Sequence, residues 1–289
     1  MAKAGHRFDL DTRTMSDKDD KSTHDLLERL RATKDQPFWR RFLHGLALPL
    51  RAGRLLAEQR SLWVFVIAPA LINLLLFGGT LYLFLSNVGT IAEWIWVMPE
   101  IGHWQDWLLR AIWYVLVTLV AILSIGAAYI FVLLIGGIVA SPFNDKLSEH
   151  VEAVLLPSGE PAEREESVVW AGVRALGSSI FILGSYVIIM APILLLNLVP
   201  LAGPVAATAL GTVVSALFLA MEYTDAPVDR RGNDLKTKFE LIEAHRALAL
   251  GFGLGASLLF WIPFINFLTI PLSVTGGTAL GIVLAEWEI

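Results

Sequence analysis

Long uncharged stretches alternate with charged segments along the chain, and their lengths predict helices that cross a membrane. Residues 61–85 contain no Asp, Glu, Lys or Arg, and a second uncharged run covers residues 111–140. At about 1.5 Å per helical residue, each run is long enough to cross a hydrocarbon layer of about 30 Å. We therefore predict an all-α membrane protein with two long transmembrane helices, at residues 61–85 and 107–140.

Two further apolar stretches in the carboxy-terminal half, residues 177–221 and 247–286, are interrupted by prolines. The first contains Val199-Pro-Leu-Ala-Gly-Pro204, and the second contains Ile262-Pro-Phe-Ile-Asn266 followed by Pro271. Each has the form of an apolar helix, a proline turn and a second apolar helix. The turns are almost entirely apolar, which favours hairpins that enter the membrane halfway, although residues 177–199 are long enough to cross it. Buried turns need protein neighbours or a wet cavity to satisfy their unpaired backbone groups, and from this requirement we also predict a homo-oligomer.

The first sixty residues divide into two parts. Residues 1–36 have too little apolar surface to support a core and are predicted to be mobile, with a short helix possible around residues 25–33. In residues 37–60, apolar side chains recur at helical spacing while arginines take other positions, which predicts a basic amphipathic helix at the membrane interface. The alternative is a cytosolic helix that packs on the rest of its own protein.

The distribution of Lys and Arg predicts the orientation. Thirteen of the 22 Lys and Arg residues lie within residues 1–60, and residues 86–106 contain none. Because basic segments stay in the cytoplasm, we predict a multi-pass protein of the cell inner membrane with a cytoplasmic amino terminus. The charged segments 141–176 and 222–246 are then cytoplasmic as well. In the external connection, Trp94, Trp96, Trp104 and Trp107 are predicted to form an aromatic belt at the lipid headgroups.

A new helix is predicted to begin after the second span. Ser141 has the character of an N-cap, with Pro142 at the first helical position. Leu147 and Val151 would lie on its apolar face, and Glu152 on its water-facing side.

Composition agrees with a membrane protein and gives little support to catalysis. Apolar residues make up 55% of the chain, charged residues 17%, and the mean hydropathy is +0.62. We find no nucleotide-binding Gly-Lys-Ser loop, no HExxH and no GxSxG motif, and the six histidines have no metal-ligand spacing. The sequence therefore predicts that the protein is not an enzyme and needs no metal or cofactor. The basic patch between Arg40 and Arg60 adjoins a span, so membrane lipid is a better partner for it than nucleic acid.

A site for a small inorganic anion can be sketched from the hairpins. Helices that start inside the membrane direct unpaired N–H groups at an anion, as broken helices do in transporters. Such starts are predicted after Gly203 and near Gly276 and Thr278. Three asparagines could join them: Asn73, Asn197 and Asn266. The alternative for each asparagine is a hydrogen bond to a neighbouring helix or to the turn backbone.

Four blocks of residues, in order along the chain, carry a family resemblance. The blocks are Pro69 with Asn73; Ser141-Pro142-Phe143-Asn144; Tyr223-Thr-Asp225-Ala-Pro227-Val-Asp229; and Ile262-Pro263-Phe-Ile-Asn266 with Pro271, Gly276 and Thr278. Together they resemble the CysZ-type sulfate permeases, relatives of the eukaryotic etoposide-induced membrane proteins. The resemblance implies one membrane domain over residues 37–289, with two transmembrane helices, two half-inserted hairpins and oligomeric assembly. The motif residues would have structural roles, and we interpret Asp225 and Asp229 as cap or salt-bridge groups, the alternative being proton carriers in proton-coupled uptake.

One departure from that family concerns the anion site. Its sulfate-binding members carry Gly-hydrophobe-Arg-Arg at the entrance of the first span, where this chain has Ser61-Leu62-Trp63-Val64. Arg60 precedes the block, but one guanidinium cannot reproduce two forks. The predicted function is a channel or permease for a small oxyanion, with sulfate uptake for sulfur assimilation implied by the resemblance. The alternative is a non-transporting membrane scaffold or envelope-maintenance protein that retains the family fold.

Overall fold

The computed structural model describes residues 25–100, 102–104, 106–156, 168–232, 234–262 and 266–287, and every regular element within these ranges is a helix. The helices are α1 (residues 25–31), α2 (Phe38–Glu58), α3 (Trp63–Ser86), α4 (Val88–Ile95), α5 (Asp106–Leu155), α6 (Val168–Leu195), α7 (Ala202–Arg230), α8 (Leu235–Ala244), α9 (Arg246–Phe260) and α10 (Asn266–Trp287). Short 3-10 turns lie at Arg60–Leu62 and Leu196–Leu198. The prediction of an all-α protein is confirmed.

Five of the described helical segments are long and apolar enough to cross a membrane. They are Arg60–Ser86, Asp106–Leu155, Ile180–Leu198, Ala202–Arg230 and Leu268–Trp287. In contrast, α9 has 15 residues, about 22 Å of helix, which is shorter than a hydrocarbon layer of about 30 Å. Large side chains such as Leu74 and Leu75 on α3 are largely exposed, as expected where lipid is the solvent. The half-inserted geometry of the hairpins stays a prediction.

The smaller of two compact units covers Phe65–Phe143 and contains most of α3, all of α4 and the first part of α5. Its core is formed by Val88, Ala92, Trp113 and Val120. The indole N–H of Trp113 donates to the carbonyl oxygen of Trp96 at 3.0 Å, which ties α5 to the end of α4. Other indoles on this connection, including Trp94 at 88% exposure, face outward. The aromatic belt stays a prediction.

The larger unit holds the remaining described residues and is built around α10. In the most apolar window of α10, 89% of the residues are buried. A helix that is apolar on all sides belongs inside a core, and α10 packs against α2, α7 and α9. The crossing of α2 and α9 is close, because a Cβ added at Gly251 would clash with the carbonyl oxygen of Phe42. One face of α2 thus packs on its own protein, while Trp39 on another face is largely exposed.

Two helix boundaries predicted from proline are wrong. No helix begins at Ser141, because α5 runs through Ser141 and Pro142 as one helix of 50 residues. The second hairpin has no break at Pro271, which lies inside α10. In water, an interior proline costs a helix about 3 kcal/mol, but membrane helices tolerate it because neighbouring groups satisfy the freed carbonyl.

Two segment boundaries also differ from prediction. The mobility predicted for residues 1–36 is wrong for residues 25–36, because Leu27 and Leu30 are buried and Arg31 forms two hydrogen bonds with Glu286, at 2.8 and 2.6 Å. Residues 1–24 lie outside the described residues. In the first hairpin, α7 continues to Arg230, beyond the predicted end at residue 221. The second helix of this hairpin therefore includes the charged residues between position 221 and Arg230.

Candidate functional site

The charged carboxy-terminal end of α7 meets α8 through one buried lysine. Lys238 is 4% exposed, and its Nζ lies 2.6 Å from Asp225 Oδ1 and 3.1 Å from Asp229 Oδ1. The two aspartates are four residues apart and so share one face of α7. Asp225 also accepts a hydrogen bond of 3.0 Å from the hydroxyl of Ser178 on α6. This lysine therefore joins α8 to the hairpin formed by α6 and α7.

The N-terminal cap of α8 sets the position of that lysine. Asp234 accepts hydrogen bonds from the hydroxyl of Thr237 at 2.6 Å and from its backbone N–H at 2.9 Å. These bonds hold the pKa of the Asp234 carboxyl below its ordinary value. Because a cap fixes the first turn of a helix, Lys238 is carried in a defined direction toward α7.

A second buried carboxylate lies between α5 and the end of α7. Glu152 is 2% exposed, its Oε2 lies 2.9 Å from Arg230 Nε, and its Oε1 lies 2.6 Å from a terminal nitrogen of Arg231. Another nitrogen of Arg230 donates to Ser148 Oγ at 2.7 Å, and Ser148 Oγ lies 2.8 Å from Thr278 Oγ1 on α10. Three helices thus meet in one polar network.

We call the six ionised residues Glu152, Asp225, Asp229, Arg230, Arg231 and Lys238 the charged cluster. Its cations and carboxylates are equal in number, and each ion is paired at 3.1 Å or less. Removing one member of such a buried set leaves an uncompensated charge, which is costly. The guanidinium groups also provide donors suited to a carboxylate or another oxyanion.

The residues predicted for the anion site have different surroundings in the structure. Asn73 lies on α3 in the smaller unit against Gly136, and its Oδ1 is buried without a hydrogen-bond partner among the described residues. Asn197 donates to the carbonyl oxygen of Leu194 at 2.9 Å, which is the turn-backbone alternative. Arg60 is exposed at the start of a 3-10 turn, and the side chain of Asn266 lies outside those described. Their role in an anion site stays a prediction.

The predicted helix starts have different outcomes. A helix does begin at the first hairpin turn, with Ala202, and a Cβ at Gly203 would clash with the carbonyl oxygen of Leu196. Close packing of the turn is therefore enough to explain this glycine. The start predicted near Gly276 and Thr278 is wrong, because both lie in the middle of α10. Thr278 is fully buried, and its hydroxyl belongs to the network around Ser148.

The remaining motif residues lie mostly in the larger unit. Tyr223 and Pro227 are on α7, where Tyr223 packs edge-on against Phe252 with ring centres 6.4 Å apart. Asn144 lies on α5, just after Pro142 and Phe143 of the smaller unit. Pro263 lies outside the described residues. Their structural roles stay predictions.

A cavity of about 590 Å³ opens between α6, α7 and α9. Its walls include Ile182, Leu183, Phe218 and Phe260, and two carboxylates, Glu222 and Asp225, also line it. The hydroxyls of Tyr186 and Ser215, also in the lining, lie 3.0 Å apart. This cavity combines apolar walls with negative charge, the opposite of what binds an anion.

Sequence reasoning missed the role of Glu152. The prediction that it faces water is wrong, since its side chain is 2% exposed and contacts both arginines. Ser148 and Glu152 form an i, i+4 pair next to the apolar stripe of Leu147 and Val151, all on α5. The sequence did contain one signal of this contact. Two adjacent arginines at the end of α7 indicated that a carboxylate partner was needed.

The described residues contain several candidate membrane spans, and a buried charged cluster lies at the ends of their helices. These are the features of a multi-pass α-helical membrane protein. A family model described as Sulfate transporter CysZ/Etoposide-induced protein 2.4 matches residues 48–271. That range is more than half of the chain, so the protein belongs to this family, and the resemblance drawn from four residue blocks is confirmed.

Several relatives are each named Sulfate transporter CysZ. The protein of Pectobacterium atrosepticum is 30% identical over 231 residues, which cover 79% of this chain and 81% of the relative. The protein of Vibrio cholerae is 29% identical over 247 residues, covering 84% of this chain and 91% of the relative. The protein of Pseudomonas syringae is 29% identical over 233 residues, covering 79% and 88%. These names describe transporters, so the expectation that the protein is not an enzyme is confirmed.

Proposed function

We propose that this protein carries a small inorganic oxyanion, sulfate, across the cell inner membrane for sulfur assimilation. The observation that carries the proposal is the likeness to proteins named as sulfate transporters over 81–91% of their length. The family model matches residues 48–271, which hold the candidate spans of α3, α5, α6 and α7. Transport would be passive or coupled to an ion gradient, because we find no ATP-binding motif in the sequence.

The proposed topology places the amino terminus and the charged cluster in the cytoplasm. Support comes from the concentration of Lys and Arg in residues 1–60 and 222–246, with none in residues 86–106. The short α9 supports a second hairpin that enters the membrane without crossing it. Half-inserted hairpins need neighbours at their tips, so the proposed transporter is a homo-oligomer.

One observation favours a second candidate, a non-transporting scaffold or envelope-maintenance protein. Trp63 and Val64 occupy the positions where sulfate-binding members have two arginines, and Arg60 is exposed outside that block. In that case the fold would be retained while the anion site at the first span is lost.

Flux through the purified protein separates the two candidates. The full chain is reconstituted into liposomes, and uptake of radiolabelled sulfate is measured with selenate, phosphate or chloride as competitors. We expect sulfate uptake that selenate inhibits more than chloride does, since selenate shares the shape and charge of sulfate. An absence of flux for every anion removes the transport proposal and leaves the scaffold.

Thiol labelling tests the half-inserted hairpin, and the chain has no cysteine of its own. Ala202→Cys places a thiol at the first turn, and Glu240→Cys places one at an exposed position of α8 as the cytoplasmic control. We expect an impermeant maleimide to label neither variant in intact cells and to label only the Glu240→Cys variant after permeabilisation. Ready labelling of the Ala202→Cys variant from outside means that the hairpin crosses the membrane.

A further inference from the structure

Two consecutive arginines at the end of α7 bind the same carboxylate. Arg230 contacts Glu152 Oε2 at 2.9 Å, and Arg231 contacts Glu152 Oε1 at 2.6 Å, so each oxygen has its own guanidinium. Glu152 is almost fully buried, whereas the arginine side chains keep 21% and 19% of their surface exposed. The arginine side chains are therefore more exposed than the carboxylate that they bind.

Such an arrangement has the chemistry of an oxyanion site. Guanidinium groups bind carboxylates and tetrahedral oxyanions through the same N–H donors, directed at pairs of oxygens. Ser148 Oγ, which Arg230 contacts at 2.7 Å, and Thr278 Oγ1, which lies 2.8 Å from Ser148 Oγ, extend this polar network. A tetrahedral anion in place of the glutamate would meet donors from both arginines.

We infer that Arg230 and Arg231 form an oxyanion-binding site that the carboxylate of Glu152 occupies as an internal competitor. This inference rests on the proposed transport function, since it assigns to the transported oxyanion a binding site that the first span lacks. Binding of the oxyanion displaces Glu152, and release of the oxyanion lets Glu152 return.

The charges around the pair bear on such an exchange. Lys238 is paired with Asp225 and Asp229, and Glu152 contacts both arginines, while Asp145 on α5 lies close enough to Arg230 for its charge to act on it. One carboxylate carries a single negative charge against two guanidinium charges. A dianion such as sulfate matches both guanidinium charges, which favours it over a monovalent anion, while the carboxylate of Asp145 repels it. The tethered glutamate keeps the affinity low enough for release.

Neutralising the competitor gives the direct test. Glu152→Gln keeps the shape of the side chain and removes its charge, and sulfate binding is measured by calorimetry on the full chain in detergent at constant ionic strength. We expect sulfate to bind this variant about tenfold more tightly than it binds the unmodified protein, which corresponds to a change of about 1.4 kcal/mol in the free energy of binding. The affinity for chloride should change little. Adding Arg231→Gln to the same background abolishes the gain.

A matched control and a second variant keep the test decisive. Glu240→Gln removes an exposed carboxylate that pairs with Lys236 on α8, and we expect no change in sulfate affinity. Glu152→Asp shortens the side chain so that its carboxylate cannot reach both arginines, and we expect a smaller gain in affinity. If the Glu152→Gln variant does not fold, the affinity of the Glu152→Asp variant for sulfate tests the inference. Unchanged affinity in a folded Glu152 variant, or a gain that survives Arg231→Gln, overturns the inference.

The flux assay separates failure of this inference from failure of the transport proposal. Sulfate flux through the unmodified protein with no tighter binding by the Glu152 variants leaves transport intact and removes the site. Tighter, Arg231-dependent binding without flux keeps the site and removes transport.

Discussion

Replacing Lys238 with Met tests whether the charged cluster holds α8 to α7. The ammonium is 4% exposed and neutralises Asp225 and Asp229, whose side chains are 19% and 20% exposed. Lys238→Met leaves two like charges on one face of α7 with their partner gone. Because the aspartates keep some contact with water, we expect the lower end of the range for a broken buried pair, about 3 kcal/mol of unfolding free energy.

The same helix supplies the control. Lys236 pairs with Glu240, but these side chains are 81% and 56% exposed, so Lys236→Met should cost less than about 0.5 kcal/mol. Thermal unfolding in detergent, followed by tryptophan fluorescence, should show Tm lower by about 6–12 °C for Lys238→Met and by less than about 2 °C for Lys236→Met. Adding Asp225→Asn and Asp229→Asn should restore part of the loss. Equal Tm values for the two lysine variants refute the reasoning.

Two further predictions concern packing and pH. Gly251→Val should lower Tm by several degrees, because its Cβ would clash with the carbonyl oxygen of Phe42, whereas Gly78→Ala, with open space around its Cβ, should not. Burial, helped by the charge of Arg41, lowers the pKa of His245 to about 4, so the unfolded state binds the proton first as pH falls below 6.5. Stability measured by Tm should therefore fall between pH 6.5 and pH 4, and His245→Gln should remove part of that slope.

The order of apolar and charged segments was enough to predict the helices and the membrane. Lengths of uncharged runs decide whether a helix can span a bilayer, and the candidate spans of α3 and α5 include residues 61–85 and 107–140. Local proline rules failed at Pro142 and Pro271 because they describe helices in water. In both cases the helix continues through the proline.

The candidate site was harder to predict because it depends on contacts far apart in the chain. Glu152 and Arg230 are 78 residues apart, and Ser148 and Thr278 are 130 residues apart. The hydrophobic pattern of α5 places Glu152 beside an apolar stripe but cannot show that α7 covers it. A sequence pattern will wrongly predict that a charged side chain is exposed wherever an ion pair, instead of water, satisfies its charge.

The distribution of charge in the larger unit limits where a dianion could be held. The cavity between α6, α7 and α9 is large enough for a small anion, but Phe218 and Phe260 line its walls and Glu222 and Asp225 contribute negative charge. A dehydrated anion would lose its water there and meet repulsion instead of hydrogen-bond donors. In contrast, Arg230 and Arg231 carry positive charge, and their side chains are 21% and 19% exposed. Electrostatics therefore favours the arginine pair over the cavity for the oxyanion site that we propose.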